Sequence, residues 1–124
     1  VLGRSLVIGK PVAMMLLRKN ASVTICHSRT KNIEELSRSA DILIACTGQP
    51  ESVGLEYVNP NQCIIDVGVS YSEAKQKLCG DVDFDAVSDK VASITPVPGG
   101  VGGVTSTILV KHLVEAAAKQ ACTR

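Results

Sequence analysis

The amino-acid sequence predicts an α/β fold: a doubly wound, mostly parallel sheet with flanking helices. Three observations carry that expectation. Short apolar runs alternate with stretches of helical periodicity, the pattern of strand–helix–strand units. Two runs, Ile42-Leu43-Ile44-Ala45-Cys46 and Cys63-Ile64-Ile65-Asp66-Val67-Gly68-Val69, are nearly continuous in apolar residues, as strands are when helices cover both sheet faces. Turn residues follow these runs at their carboxyl ends, where open α/β sheets bind ligands. With 124 residues, 45% of them hydrophobic, and no internal repeat, the chain fits one domain around one core.

Each element has its own local reason. Val1-Leu2 ends a first strand, and Gly3 to Gly9 forms a turn. Pro11 suits the first helical position, and Val12, Met15 and Leu16 keep helical spacing up to Asn20. Ser22 to Cys26 is short and β-branched, a second strand leading into the polar run His27-Ser28-Arg29-Thr30-Lys31. Asn32 and Glu35 match a capping box for a short helix with Ile33 and Leu36 on its buried side. The third strand, 42–46, breaks at Thr47-Gly48-Gln49-Pro50, and one turn is expected around Leu55-Val58 before the fourth, 63–69. Ser70 to Gly80 reads as an exposed loop or hairpin, followed by a short helix through Val87 and a last strand at 91–95. Four glycines and two prolines in residues 96–105 exclude a regular element there. A final amphipathic helix is expected over 105–121, with Thr105 or Ser106 as its N-cap.

Composition narrows the function classes. With 13 Lys+Arg against 12 Asp+Glu, no broad charge points to nucleic acid or an anionic membrane. No run of 18 apolar residues and no targeting segment is present, so a cytoplasmic location is expected. The five cysteines lack any C-x-x-C spacing and read as reduced thiols rather than metal ligands or redox groups. The chain starts without Met at Val1-Leu2, too short for a strand of about five or six residues. The sequence is therefore expected to be one domain of a longer protein.

The opening turn departs from the three-glycine dinucleotide fingerprint. Gly3 serves the turn, Ser5 stands at the second glycine position, and Gly9 comes one residue after the third. Spacing alone leaves nucleotide binding and simple packing both open. The end of the second strand is more informative. A ribose 2′-hydroxyl calls for an acid about 20 residues beyond the turn, yet His27-Ser28-Arg29-Thr30-Lys31 stands there, with no acid before Glu34. Together with Arg4, Ser28 and Arg29 make an anion-receptive corner that favours the phosphorylated cofactor NADP. His27 is a candidate cofactor contact, and His112 reads as a structural or surface residue. Asp66 and Asp81 are candidates for acid–base work, with hydrogen bonding to loop amides as the alternative for Asp66.

Read together, several motifs resemble one family. They are Gly3-Arg4-Ser5, Gly9-x-Pro11, Cys26-His27-Ser28-Arg29-Thr30, Thr47-Gly48-Gln49-Pro50, Ile65-Asp66-Val67-Gly68, Gly80-Asp81-Val82 and Thr95-Pro96-Val97-Pro98-Gly99-Gly100-Val101-Gly102. The family is the bifunctional methylenetetrahydrofolate dehydrogenase/methenyltetrahydrofolate cyclohydrolase of the bacterial short type, and the similarity covers its Rossmann-like cofactor domain. The resemblance implies hydride transfer from 5,10-methylenetetrahydrofolate to NADP, hydrolysis of the methenyl product to 10-formyltetrahydrofolate, and a homodimer. It implies cofactor contacts at Gly3, Arg4, Ser5, Ser28, Arg29, Thr47, Gly48 and Val69, with Thr105 near the nicotinamide, and folate contacts at Pro98, Gly99 and Gly100. Gly103-Val104 stand where many members have Pro-Met. The family's catalytic lysine, in a Tyr-x-x-x-Lys motif, belongs to an N-terminal domain, so no catalytic residue is named in this chain.

Two other classes are compatible with parts of the sequence. A shikimate-dehydrogenase-like or amino-acid dehydrogenase cofactor domain fits the glycine turn and Ala40-Asp41-Ile42-Leu43-Ile44, but leaves the Pro-Val-Pro-Gly-Gly loop unexplained. A non-enzymatic nucleotide-binding module or structural domain would show no stabilisation by NADP.

Overall fold

The structure, a computed structural model, describes residues 1–122; the last two residues of the expected domain 1–124 lie outside them. Its elements are α1 (Gly9–Arg18), α2 (Ile33–Arg38), β1 (Ile42–Ala45), a 3₁₀ turn (Leu55–Tyr57), β2 (Cys63–Asp66), β3 (Ser70–Ser72), β4 (Lys77–Cys79), α3 (Phe84–Val87), β5 (Ser93–Ile94) and α4 (Val101–Cys122).

The parallel sheet is built around Leu2. Its amide donates to the Ile44 carbonyl (2.8 Å) and its carbonyl accepts from Cys46 (2.9 Å), while on the other side the Cys26 amide reaches Val1 and the Gly3 amide reaches Cys26, both at 2.9 Å. Leu2 thus bridges Cys26 and Ala45, both in parallel. β1 pairs with β2 from Ile42↔Cys63 to Ala45↔Asp66, and β2 pairs with β5 at Cys63↔Ser93 and Ile64↔Ile94. Numbering the segments in chain order gives the spatial order 2-1-3-4-5, a doubly wound arrangement of Rossmann type. The second and first segments pair only through these isolated bridges, so the expected strand over 22–26 is reduced to Cys26. β3 and β4 form a separate antiparallel hairpin, resolving the 70–80 segment in favour of the hairpin.

The core gathers Leu2, Cys26, Leu43, Ala45, Val53, Val58, Ile64, Val82 and Val87. β1 is buried from Leu43 to Ala45, as its unbroken apolar run requires. α1 ends in a Schellman motif: Ala21 donates to the Leu16 carbonyl and Asn20 to Leu17, with Asn20 left-handed at φ 63°.

Several local expectations are corrected. α1 begins at Gly9, two residues before Pro11; the proline is still tolerated because the first helical N–H groups have no intrahelical partner. Asn32 adopts φ 53° and makes no side-chain cap bond, so the capping box does not form, and Leu36 is exposed. α4 begins at Val101, so residues 101–105 of the glycine-rich stretch are helical after all. Two glycines cost about 1 kcal/mol each in a helix, which a helix of 22 residues absorbs. Thr105 and Ser106 are accordingly not caps: their hydroxyls, like that of Thr107, donate to the carbonyls of Val101, Gly102 and Gly103. Finally, α4 buries none of its residues, and Leu109 and Leu113 are about 70% and 69% exposed.

Ile64 is fully buried at the centre of the sheet. Replacing it with alanine is expected to lower the unfolding free energy by about 2–5 kcal/mol, measured by urea denaturation; a loss below about 1 kcal/mol would contradict this core.

Candidate functional site

The order of segments reverses between Leu2 and β1, and in such sheets the crevice at the carboxyl ends of the two diverging strands receives the ligand. The residues there are Gly3 on one side and Cys46-Thr47-Gly48 on the other. Gly3 has φ 131°, and a Cβ on it would stand 2.3 Å from the Cys46 carbonyl oxygen. A Cβ on Gly9 would stand 2.4 Å from the Gly3 carbonyl oxygen. Both glycines are therefore obligatory: one for the turn against β1, the other for seating α1 on that turn. Gly9 does the packing work of the fingerprint's third glycine, one residue late.

Ser5 helps to build the same turn. Its Oγ accepts from the amides of Ile8 (3.1 Å) and Gly9 (3.3 Å), and its carbonyl accepts from Lys10. That leaves the hydroxyl proton of this exposed residue to donate to a ligand. Arg4 is exposed beside it, and the helix start adds its partial positive charge.

The second corner lies at the carboxyl end of the neighbouring segment. The His27 amide donates to Thr30 Oγ1 (2.9 Å) and the Arg29 amide to His27 Nδ1 (3.2 Å). The imidazole is thus engaged by backbone, while the Ser28 and Arg29 side chains are exposed. Among the described residues, neither Arg4 nor Arg29 pairs with a carboxylate, which leaves their charge for an anion. His112 is exposed on α4.

The remaining predicted residues follow the other strands. Thr47 Oγ1 accepts from the Gln49 amide and contacts Ser52 Oγ at 3.1 Å. Val69, just beyond β2, is 64% exposed. Pro98, Gly99 and Gly100 form the loop between β5 and α4; Gly99 has φ 101°, and a Cβ on Gly100 would stand 2.4 Å from the Pro96 carbonyl oxygen. Because the strands are parallel, Gly3, Arg4 and Ser5, Ser28 and Arg29, Thr47 and Gly48, Val69 and the 98–100 loop all leave the sheet at one edge. Thr105 lies beyond that loop within α4, its hydroxyl committed to its own helix.

The hydrogen bonding of loop amides, the alternative expected for Asp66, is what the structure shows; which loops it joins, and the same role for Asp81, sequence reasoning missed. Asp66, at the end of β2, is buried and accepts from the amides of Gly68 (2.9 Å), Asp81 (3.0 Å) and Val82 (2.9 Å). Asp81, fully buried, accepts from the Gly48 amide at 2.9 Å. Both acids thus organise loop amides, and neither is exposed for acid–base work. The available signal was an acid beside a glycine in an apolar setting, Asp66-Val67-Gly68 and Gly80-Asp81. Cys46, one of the thiols read as reduced, borders the Gly3 turn; burial pushes its thiol up, so it stays neutral.

A Tyr-x-x-x-Lys spacing does occur in this chain, at Tyr71 and Lys75 on the β3–β4 hairpin. The Lys75 ammonium is held by Glu51 and by Asp85 at 2.9 Å. These bonds raise its pKa far above the ordinary lysine value, which makes it a clamp for the hairpin rather than a proton acceptor.

Comparison with known proteins follows the same lines. Residues 1–121 match the family described as tetrahydrofolate dehydrogenase/cyclohydrolase, NAD(P)-binding domain. The chain is 57% identical over 120 residues to the bifunctional protein FolD 1 of Desulfitobacterium hafniense, covering 97% of this chain and 42% of that protein. It is 57% identical over 117 residues to the bifunctional protein FolD of Carboxydothermus hydrogenoformans, covering 94% and 41%. Among solved structures, the FolD methylenetetrahydrofolate dehydrogenase/cyclohydrolase of Campylobacter jejuni superposes with a TM-score of 0.89 at 39% identity, over 96% of this chain and 42% of that one. The Trypanosoma brucei enzyme, complexed with NADP cofactor and an inhibitor, superposes with a TM-score of 0.77 at 41% identity, over 89% and 39%. The chain thus spans about two fifths of the length of the relatives it matches.

The buried carboxylates set the electrostatics beneath the site. Burial pushes the Asp66 carboxyl above its ordinary value of 3.8; its three amide bonds pull the other way, and the Asp81 charge adds to the rise. An acid raised on folding contributes stability that is complete below the unfolded value and lost as pH rises through the folded one. Carboxyl NMR titration is expected to place Asp66 above 3.8; a midpoint at or below that value would contradict the dominance of burial.

Proposed function

The chain belongs to the tetrahydrofolate dehydrogenase/cyclohydrolase family, as its NAD(P)-binding domain, and on that premise we propose that it holds NADP for a longer enzyme. That enzyme oxidises 5,10-methylenetetrahydrofolate and hydrolyses the methenyl product to 10-formyltetrahydrofolate. The observation that carries the reading is the crevice at the order reversal. There Gly3 and Gly9 exclude side chains, Ser5 keeps a donor proton, and the cations of Arg4 and Arg29 have no carboxylate partner among the described residues.

The chain's residues fit the cofactor. Bound NADP supplies the acceptor for the hydride. The Gly3-Arg4-Ser5 turn and the start of α1 receive the pyrophosphate, because the helix dipole and the free hydroxyl proton of Ser5 favour anions there. Ser28 and Arg29 take the 2′-phosphate through charge-assisted hydrogen bonds. Thr47, Gly48 and Val69 flank the dinucleotide along the sheet edge, Thr105 lies toward the nicotinamide, and Pro98, Gly99 and Gly100 border the folate. The catalytic residues belong to a second domain, and the exposed apolar side chains of α4 support a packing partner of that kind. No helix among the described residues is long and apolar enough to cross a membrane, and the free cysteines suit a cytoplasmic enzyme. Family resemblance supports a homodimer.

In the full-length protein, methylenetetrahydrofolate-dependent formation of NADPH is the test. Combining Ser28→Ala with Arg29→Glu is expected to raise KM for NADP by about 100-fold or more, since two charged hydrogen bonds of about 1.5–3 kcal/mol each are lost. KM for NAD should change little. Equal effects on both cofactors would overturn the assignment of the phosphate corner, and no folate-dependent NADPH in the wild type would overturn the function.

A further inference from the structure

Five loops leave the sheet at the cofactor edge, and each belongs to a different part of the chain. Sequence-local hydrogen bonds account for the shapes of two of them, the Gly3–Gly9 turn and residues 27–30. The loop at 47–48 has local bonds too, among Thr47, Gln49 and Ser52, and backbone bonds from Glu51 to Gly80 and from Val53 to Asp81 hold the segment after it, but the Gly48 amide takes no part in any of them. Gly48 has φ 73°, and nothing lies within 4 Å of where its Cβ would be, so no packing holds it from that side. Its amide is held by a single long-range partner, Asp81 Oδ2, 33 residues away.

Asp81 is itself fixed from below. Its amide and that of Val82 donate to Asp66 Oδ1 and Oδ2 (3.0 and 2.9 Å), and Asp66 Oδ1 also accepts from Gly68. The Asp66 amide donates to Thr95 Oγ1 at 2.9 Å, at the start of the Pro96–Gly100 loop. One continuous chain of hydrogen bonds therefore runs from Gly48 through Asp81 and Asp66 to Gly68 and Thr95. The fit is close: a Cβ on Gly68 would stand 2.2 Å from Asp81 Oδ1, and one on Gly80 would stand 1.9 Å from Asp66 Oδ2. Asp81 Oδ1 has no hydrogen-bond partner among the described residues and lies against the Gly68 backbone. Leaving a buried carboxylate oxygen unpaired is costly, and a residue present only to fill space would avoid that cost.

We propose that Asp81 is a positioning residue for the dinucleotide: through its bond to the Gly48 amide it sets the 47–48 loop against the cofactor crevice, with Asp66 as its anchor. This rests on the reading of that crevice as the NADP site. Asp81 touches neither cofactor nor folate. Its effect is on cofactor affinity, conveyed by the position of one backbone amide.

The test is calorimetric titration of NADP into the full-length protein, with steady-state kinetics for the folate. Asp81→Leu keeps the bulk and removes the acceptor; it is expected to raise the NADP dissociation constant by about tenfold or more, the scale of a lost charged hydrogen bond, with the folate KM within about twofold. Asp81→Asn retains one acceptor oxygen and is expected to restore binding to within about threefold of wild type. Wild-type affinity in Asp81→Leu, equal weakness in Asp81→Asn, or parallel loss of both substrates would overturn the proposal. Should Asp81→Leu not fold, hydrogen exchange of the wild-type Gly48 amide decides: slower exchange than in an unfolded chain of the same sequence, slowed further by NADP, upholds the tether, and exchange at the unfolded rate overturns it. A wild-type protein that binds no NADP refutes the cofactor reading instead, while Gly48 exchange without cofactor still reports whether the tether exists.

Discussion

Two backbones meet at Gly3 with no space for a side chain on either contact, and the rest of the site depends on that meeting. The Leu2 segment must lie beside β1 to complete the sheet, which brings Gly3 against Cys46. α1 must then turn back over the same point, which brings Gly9 against the Gly3 carbonyl. The result is a helix start aimed at the carboxyl edge of a parallel sheet. Ser5 already takes the amides of Ile8, Gly9 and Lys10, so what the helix start offers an anion is its dipole. Specificity is then added by the residues the turn exposes, Arg4 and Ser5, and by the neighbouring corner of Ser28 and Arg29.

A crevice made of loops must also be kept from spreading, and here two buried acids take the place of apolar packing. Asp66 collects three amides at the end of β2 and Asp81 passes the restraint on to Gly48. The glycines beside them are consequences of this arrangement, since side chains at 68 or 80 would collide with the carboxylates. Function and stability pull apart at this point: desolvation of Asp66 works against the folded state above its raised pKa, whereas the hydrogen bonds fix the loops.

Much of this was legible in the sequence, for physical reasons that differ between elements. The unbroken apolar run at 42–45 announces a strand covered on both faces. The cations at 29 and 31, with no acid before Glu34, announce a phosphate rather than a bare ribose. What could not be read was long-range. The tether from Asp81 to Gly48 spans 33 residues, so the acid–glycine pairs at 66–68 and 80–81 could mark the acids but not their partner, and amide bonding was expected as an alternative for Asp66 alone. Local rules were also overridden. Gly102 and Gly103 entered α4 because the helix beyond them is long, and the Asn32 capping box failed because Asn32 adopted a left-handed conformation. The apolar residues of α4 read as one buried face, yet within this domain they have nothing to pack against.

The central claim is that the cofactor lies at the carboxyl edge of the sheet, between the Gly3 turn and the 47–48 loop. A rival location exists in the same fold. A cavity of about 450 Å³ opens at the opposite edge, lined by residues including Leu16, Val23, Leu36, Asp41 and Ile42. Hydrogen–deuterium exchange of the full-length protein with and without NADPH separates the two. The account predicts that cofactor slows exchange in residues 3–10, 27–30 and 47–49 and leaves residues 21–24 and 39–42 unchanged. Protection centred on residues 21–24 and 39–42 would contradict it.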